Sequence, residues 1–333
     1  MGARIITGNS QELAKTLCGF TIAKWQAGNK FGQLLTCLKD KDFKLWLDFE
    51  LSNIAGWQIV QDTKHGFMPN VPRKLAEDRK DDLPLIVGSM KDEFATFLFM
   101  MIEAGQVEKE EIDQEFGRGQ LKMLMGHLPP AKSQKLNEII DAHYIPKGTK
   151  PDDWRAWMKV IGDAVTGAEF TSPIQEDIRD HLRNGNKNIY VYEMTRQSPL
   201  WPTPVLGGKW KPVGHGSDLP YLQPDIAAWL AYLKSGKDDD RDLEILDWMA
   251  ENWTYFAKHG KPADHHWHKA CSSKGRIPYL EIGEKFAMRK SYRHMDEHVW
   301  TELMPRHVAV LPQKRPDFNN GSVYDEWYMR EFV

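Results

Sequence analysis

The sequence predicts a helix-rich α/β fold, and three observations carry that expectation. Two short apolar runs, Leu83–Gly88 (LPLIVG) and Asn188–Met194 (NIYVYEM), have the content of strands buried in a parallel or mixed sheet. Long stretches of helix-periodic sequence separate them. Two further segments, Ile277–Ile282 and Lys285–Ser291, read as a C-terminal β-hairpin. Helices alternating with buried strands indicate an α/β architecture. Only four strands are evident, few for a chain of 333 residues.

Taken in order, Ser10–Phe49 reads as helical. Leu13, Leu17, Leu34, Leu35 and Leu38 fall at helical spacing, and Gly28 and Gly32 interrupt the run. His65–Pro72 is a Gly-, Pro- and Asn-containing loop. After the first strand a helix is expected at Glu93–Ala104. Others follow at Glu108–Phe116, Ser133–His143, Asp152–Val165 and Ser172–Asn184. Ser172 is expected to cap the last of these, with Pro173 at its first helical position. Ser198–Gly216, rich in Gly, Pro and Trp, reads as loop. Asp242–Lys258 is amphipathic, with Leu243, Leu246, Trp253 and Phe256 among its apolar positions, and Gly260-Lys261-Pro262 stops it. A short helix is expected around Glu297–Leu303, before an irregular tail.

Composition narrows the function classes. A net charge of −3 gives no basic field, so nucleic acid is not an expected partner. The longest apolar run, Phe97–Ile102, is too short to span a bilayer. The opening MGARIITGNS lacks the apolar centre of a signal peptide and misses the myristoylation pattern, so localisation is left open. The three cysteines, Cys18, Cys37 and Cys271, allow at most one internal bridge.

Two polar residues stand where α/β chemistry is done. Glu93 follows the strand LPLIVG, and His215, in PVGHGSD, follows NIYVYEM across a loop. Active sites of open α/β sheets lie beyond the carboxyl ends of strands. An acid followed by a later histidine matches the order of a hydrolytic triad.

At these residues the sequence resembles the type-B carboxylesterases, which include cholinesterases and the non-catalytic neuroligins. LIVGSMKDEFATFLF resembles their acid segment, and WPTPVLGGKWKPVGHGSDLPYLQ their histidine tract. MAENWTYFAKHGKPAD, Met249 to Asp264, resembles the helix that follows. CGFTIAKWQAGNKFGQLLTCLKDKD resembles a disulfide-closed loop, and GDAVTGAEFTSPI, from Gly162, a further family segment. Collinear over roughly residues 8 to 310, these motifs imply an α/β-hydrolase fold lacking its N-terminal central strands and nucleophile elbow. Residues 1–312 would be the C-terminal part of a carboxylesterase domain, and 313–333 a tail.

The resemblance implies roles. His215 would be the general base and Glu93 its orienting acid. Cys18 and Cys37 would form a disulfide, which points to an oxidising compartment, secreted or in the ER lumen. A second family bridge, near Ser172 and Thr301, has no cysteines here. The substrate would be a small carboxylic ester, with no cofactor, and the C-terminal helices are of a kind that forms homodimers.

The nucleophile is absent. Before Glu93 stand only Ser10, Ser52 and Ser89, and no G-x-S-x-G occurs; Gly8-Asn9-Ser10-Gln11-Glu12 lacks the final glycine. The Gly-rich oxyanion segment is also missing, and Gly207-Gly208 reads as a turn. The chain is thus expected to be inactive alone or an incomplete product of an active serine esterase. The alternative is a non-catalytic recognition or adhesion module, which would have no need to keep Glu93 and His215. No metal site is expected: His265-His266-Trp267-His268 and Cys271 follow the helix stop in a surface loop. Of the two glycosylation sequons, Asn252-Trp253-Thr254 lies in a helix and Asn320-Gly321-Ser322 in the tail. Trp154, Trp157, Trp201 and Trp253 are expected in core or gorge-wall packing.

Overall fold

The computed structural model describes residues 11–28, 30–52, 68–70, 72–77, 79, 83–124, 130–200, 210–236, 240–271 and 275–308. The chain divides into two compact units. One comprises residues 1–71, 125–130 and 309–333, the other 72–124 and 131–308.

The described part of the first unit is helical. α1 covers residues 11–18, followed by α2 (Ile22–Gln26), α3 (Phe31–Lys39) and α4 (Phe43–Ser52). Gly19, at φ +57°, turns the chain out of α1, and the carbonyls of Lys15 and Ala14 accept from Gly19 N and Phe20 N at 2.9 and 3.0 Å. Ala14, Phe20 and Leu34 form a small core with Leu38. The Cys18–Cys37 disulfide stands beside it, joining α1 to α3. Gly32 does not interrupt the helix as expected. It is the second residue of α3, where the early amides have no intrahelical acceptor to lose.

The second unit is built on a mixed sheet of order β1-β2-β3-β4. β1 (Leu85–Met90) pairs in parallel with β2 (Ile189–Met194), and β2 in parallel with β3 (Tyr279–Ile282). β4 (Phe286–Arg289) runs antiparallel to β3, forming the expected hairpin. Parallel neighbours require a crossover connection. α5 (Pro72–Glu77) lies ahead of β1, and the crossover between β1 and β2 contains α6 (Ala95–Glu103), α7 (Gln114–Leu124), α8 (Pro130–Tyr144), α9 (Trp154–Val165) and α10 (Ser172–Arg183). Between β2 and β3 run α11 (Leu219–Leu222), α12 (Ile226–Lys234) and α13 (Asp240–His259). After β4 come α14 (His294–Glu297), a π turn (His298–Leu303) and α15 (Met304–Val308).

Every residue of β2 is buried, and its two faces enter different cores. Tyr190, Tyr192 and Met194 pack with Ile245 and Met249 of α13, Trp229 and Trp267. Ile189 and Val191 pack with Ile178 of α10, Ile277 and Tyr292. This period of two is the strand alternation itself. Gly88 of β1 lies in register with Tyr192, and a Cβ there would sit 2.3–2.5 Å from the tyrosine ring.

The helices of the second unit depart from expectation in several places, and α12 stands in a segment where none was expected. The segment Glu108–Phe116 is a 3₁₀ turn, Lys109–Glu111, and then the start of α7. Asp113 separates the two by accepting from Phe116 N at 2.9 Å. Ser172 caps nothing. A π turn, Thr166–Thr171, runs continuously from α9 into α10, and Ser172 Oγ donates to Gly167 O at 2.6 Å. The helix expected around Glu297–Leu303 begins at His294 and passes through a π turn. Trp157 is buried and Trp253 joins an aromatic cluster, as expected. Trp201, Gly207, Gly208, Ser10, Asn320 and the tail lie outside the described residues.

Two expected outcomes follow. Gly88→Ala overpacks β1 against Tyr192 and should cost about 1–3 kcal/mol, read as a lower urea midpoint at unchanged slope; a wild-type midpoint refutes the packing. Reducing Cys18–Cys37 should remove about 3 kcal/mol of loop constraint. Trypsin should then cut faster at Lys24 and Lys30, and an unchanged cleavage rate would show that the bridge constrains nothing.

Candidate active site

The parallel pairing of β1 and β2 brings their carboxyl ends side by side. Lys91 N donates to Met194 O at 3.0 Å, extending the ladder one residue past β1. The chain then turns through Asp92 and Glu93 into α6. The loop returning after β2 lies against this turn. Asp92 N donates to Val213 O at 2.9 Å, Val213 N to Asp92 Oδ2 at 3.0 Å, and His215 N to Glu93 O at 3.1 Å. Thr96 Oγ1 donates to His215 O at 3.3 Å. The two loops are thus stitched together by backbone before either functional side chain is considered.

Glycine makes the approach possible. A Cβ on Gly214 would lie 2.1 Å from Thr96 Oγ1 and 3.1 Å from Thr96 N. Gly216 has φ +82°, and Ser217 Oγ closes the turn by donating to Gly214 O at 2.6 Å. Both glycines of the G-H-G triplet are therefore required, for different reasons.

Glu93 and His215 meet directly. His215 Nδ1 and Glu93 Oε2 are 2.7 Å apart, and Glu93 Oε1 accepts from Met90 N at 2.7 Å. The Glu93 side chain is 6% exposed and that of His215 54%. The carboxylate is therefore held on both oxygens while the imidazole reaches the surface. Its hydrogen bond to Glu93 raises the His215 pKa above the ordinary 6.5; burial opposes this, and the negative charges of Glu93 and Asp218 add to it. Phe97 and Phe170 flank the ring at 5.6 and 5.4 Å between centroids.

Several contributors carried little signal in the sequence. Asp92 is 2% exposed and acts as the clamp on Val213. Its place beside Glu93 in an Asp-Glu doublet was the only hint. Phe170 arrives from the π turn in the GDAVTGAEFTSPI segment, and Thr166 of the same turn accepts from Phe94 N at 3.1 Å. Asp218 accepts from Tyr192 OH at 2.8 Å, and its burial raises its carboxyl pKa. Arg293, at φ +42°, ion-pairs with Glu193 at 2.7 Å and donates to the carbonyls of Met90 and Lys91, bracing the acid turn from behind.

No serine joins the pair among the described residues of this unit. Ser217, two positions beyond the histidine, is buried with its hydroxyl committed to Gly214 O. Ser89 Oγ accepts from Tyr292 OH at 2.7 Å. The site therefore holds an oriented imidazole and its acid. An imidazole so placed can take a proton from a hydroxyl brought to its exposed edge.

Comparison with known proteins places this chain in a family. The sequence profile of the carboxylesterase family matches residues 4–300. No curated protein matches the chain. Among solved structures, juvenile hormone esterase from Manduca sexta, carrying covalently attached OTFP, superposes with a TM-score of 0.58 at 18% identity. The match covers 83% of this chain and 53% of that one. A carboxylesterase of Geobacillus stearothermophilus superposes with a TM-score of 0.54 at 16% identity, over 79% of this chain and 50% of the enzyme. A PNB esterase gives a TM-score of 0.54 at 14% identity, over 83% and 51%. The chain thus spans about half the length of the solved esterases it matches. With an α/β-hydrolase sheet and a family match over most of its length, this chain belongs to the carboxylesterase family.

Proposed function

We propose that this chain supplies the base and acid of a serine-esterase centre and hydrolyses no ester without a nucleophile from elsewhere. His215 is the general base and Glu93 the residue that orients it and balances its charge. One observation carries the reading: the 2.7 Å contact between a buried carboxylate and an imidazole whose other edge faces solvent. A structural ion pair has no need to hold the carboxylate on both oxygens while leaving the histidine half in water.

In the complete reaction a serine hydroxyl attacks the ester carbonyl while His215 Nε2 takes its proton. The tetrahedral adduct collapses, and His215 returns the proton to the departing alcohol. Glu93 stabilises the transient imidazolium without accepting the proton. Water then repeats the sequence on the acyl-enzyme. The substrate class is a small carboxylic ester. This chain carries no G-x-S-x-G to begin the cycle, and losing the nucleophile costs such enzymes about a million-fold in kcat.

Purified residues 1–333 should neither turn over p-nitrophenyl butyrate nor label with a serine-directed fluorophosphonate. Turnover with serine labelling would overturn the reading. A longer endogenous species, captured through an epitope near residue 300 and carrying an upstream serine elbow, should be active. There His215→Ala should cost about a million-fold and a carboxamide at Glu93 about 10⁴-fold. Full activity of the His215→Ala form would also sink the proposal.

The pair also titrates. An NMR titration of His215 should give a midpoint above 6.5, and Glu93→Gln should lower it. Because the folded-state value is raised, the pair's stabilisation is complete below the unfolded value and fades as pH rises through the folded one. Exposure of the imidazole keeps that contribution small. A midpoint unmoved by Glu93→Gln would show that the hydrogen bond does not govern the imidazole.

A further inference from the structure

We infer that Asp264, His265 and His266 form a binding site for a borderline divalent transition-metal ion, with Zn²⁺ and Cu²⁺ the expected occupants. The residues lie just past the stop of α13, on loop outside the catalytic turns. Each offers one ligand atom, and the three atoms lie within 4.8 Å of one another. Two imidazoles and one carboxylate are donors that suit zinc and copper and are poorly matched to Mg²⁺ or Ca²⁺.

The carboxylate is prepared for this use. Asp264 N donates to Asn252 Oδ1 at 2.8 Å, so the residue is pinned to α13. Trp248 Nε1 donates to Asp264 Oδ2 at 3.2 Å, and His266 N donates to Oδ1 at 2.8 Å. A hydrogen-bonded ligating carboxylate is the usual outer-shell device of a metal site. The imidazoles are both exposed, with ring centroids 3.9 Å apart, and His266 Nδ1 stands 3.2 Å from Asp264 Oδ1. The outward side stays open for water or a fourth donor, and His268 is the nearest histidine in sequence.

The site has a built-in reporter. Trp248 stacks on Phe286 at 4.4 Å and packs against Trp267 at 5.6 Å, so the cation would sit one hydrogen bond from a tryptophan cluster. Copper(II), being paramagnetic, quenches nearby indole emission.

The test is titration of tag-free residues 1–333 with ZnCl₂ by calorimetry and with CuCl₂ by tryptophan fluorescence. One saturable equivalent is expected, weakening as pH falls because protonated imidazole cannot ligate. His265→Ala and His266→Ala, both at exposed side chains, should each weaken Zn²⁺ binding about tenfold or more, whereas MgCl₂ should give no heat. Zinc should also raise the melting temperature of the parent chain but not of the His265→Ala/His266→Ala double variant. Absence of saturable binding, or binding that the double variant keeps, overturns the site. Circular dichroism of the variants separates lost ligands from lost fold.

Discussion

Much of the second unit depends on the parallel pairing of β1 with β2. Parallel strands point the same way, so whatever follows each must emerge at the same edge of the sheet. Here those followers are the Asp92-Glu93 turn and the loop that ends in Gly214-His215-Gly216. They are far apart in sequence and within hydrogen-bonding distance in space. The pairing is secured by burial. β2 has apolar contacts on both faces, and Gly88 admits the Tyr192 ring against β1, so a slip of one residue would drive a side chain into that ring.

Around this pairing the buried polar groups are joined to one another. Asp242, at the start of α13, receives Arg196 Nε at 2.7 Å and the hydroxyls of Tyr221 and Tyr232 at 3.1 Å each, tying together α11, α12, α13 and the segment after β2. Asp296 receives Tyr144 OH at 2.8 Å and Thr171 Oγ1 at 2.9 Å. Between α10 and the C-terminal helices, Gln175 Nε2 donates to Tyr292 O at 2.8 Å and Arg179 pairs with Glu297. Asn252 is likewise committed, to Trp248 O and Asp264 N, and is 1% exposed, which leaves its sequon no accessible amide.

Legibility followed the range of the interaction. LPLIVG and NIYVYEM announced β1 and β2 because burial on both faces demands apolar, branched and aromatic residues locally. α13 was legible from its amphipathic period and its Gly-Lys-Pro stop. Ser172 misled because Ser-Pro is a strong local sign of a helix start, whereas the π turn before it is held by contacts to Asp296, distant in sequence. Phe170 beside His215 had no local signal, since nothing in a helical segment tells which ring it will face. The resemblance to esterases named Glu93 and His215. Asp92, Gly214 and Arg293, which hold those two in place, are recognisable only from the tertiary contacts they make.

The sequence alone therefore determined the strands, many of the helices, the absence of a G-x-S-x-G motif and the candidacy of Glu93 and His215. These depend on residue type, order and short-range period. Tertiary structure decided that Glu93 Oε2 and His215 Nδ1 touch, that one is buried and the other half in water, and that Asp264 Oδ2 accepts from the Trp248 indole. Those facts depend on distances across the fold. Such distances are set by how strands register and helices pack, and no local pattern encodes them.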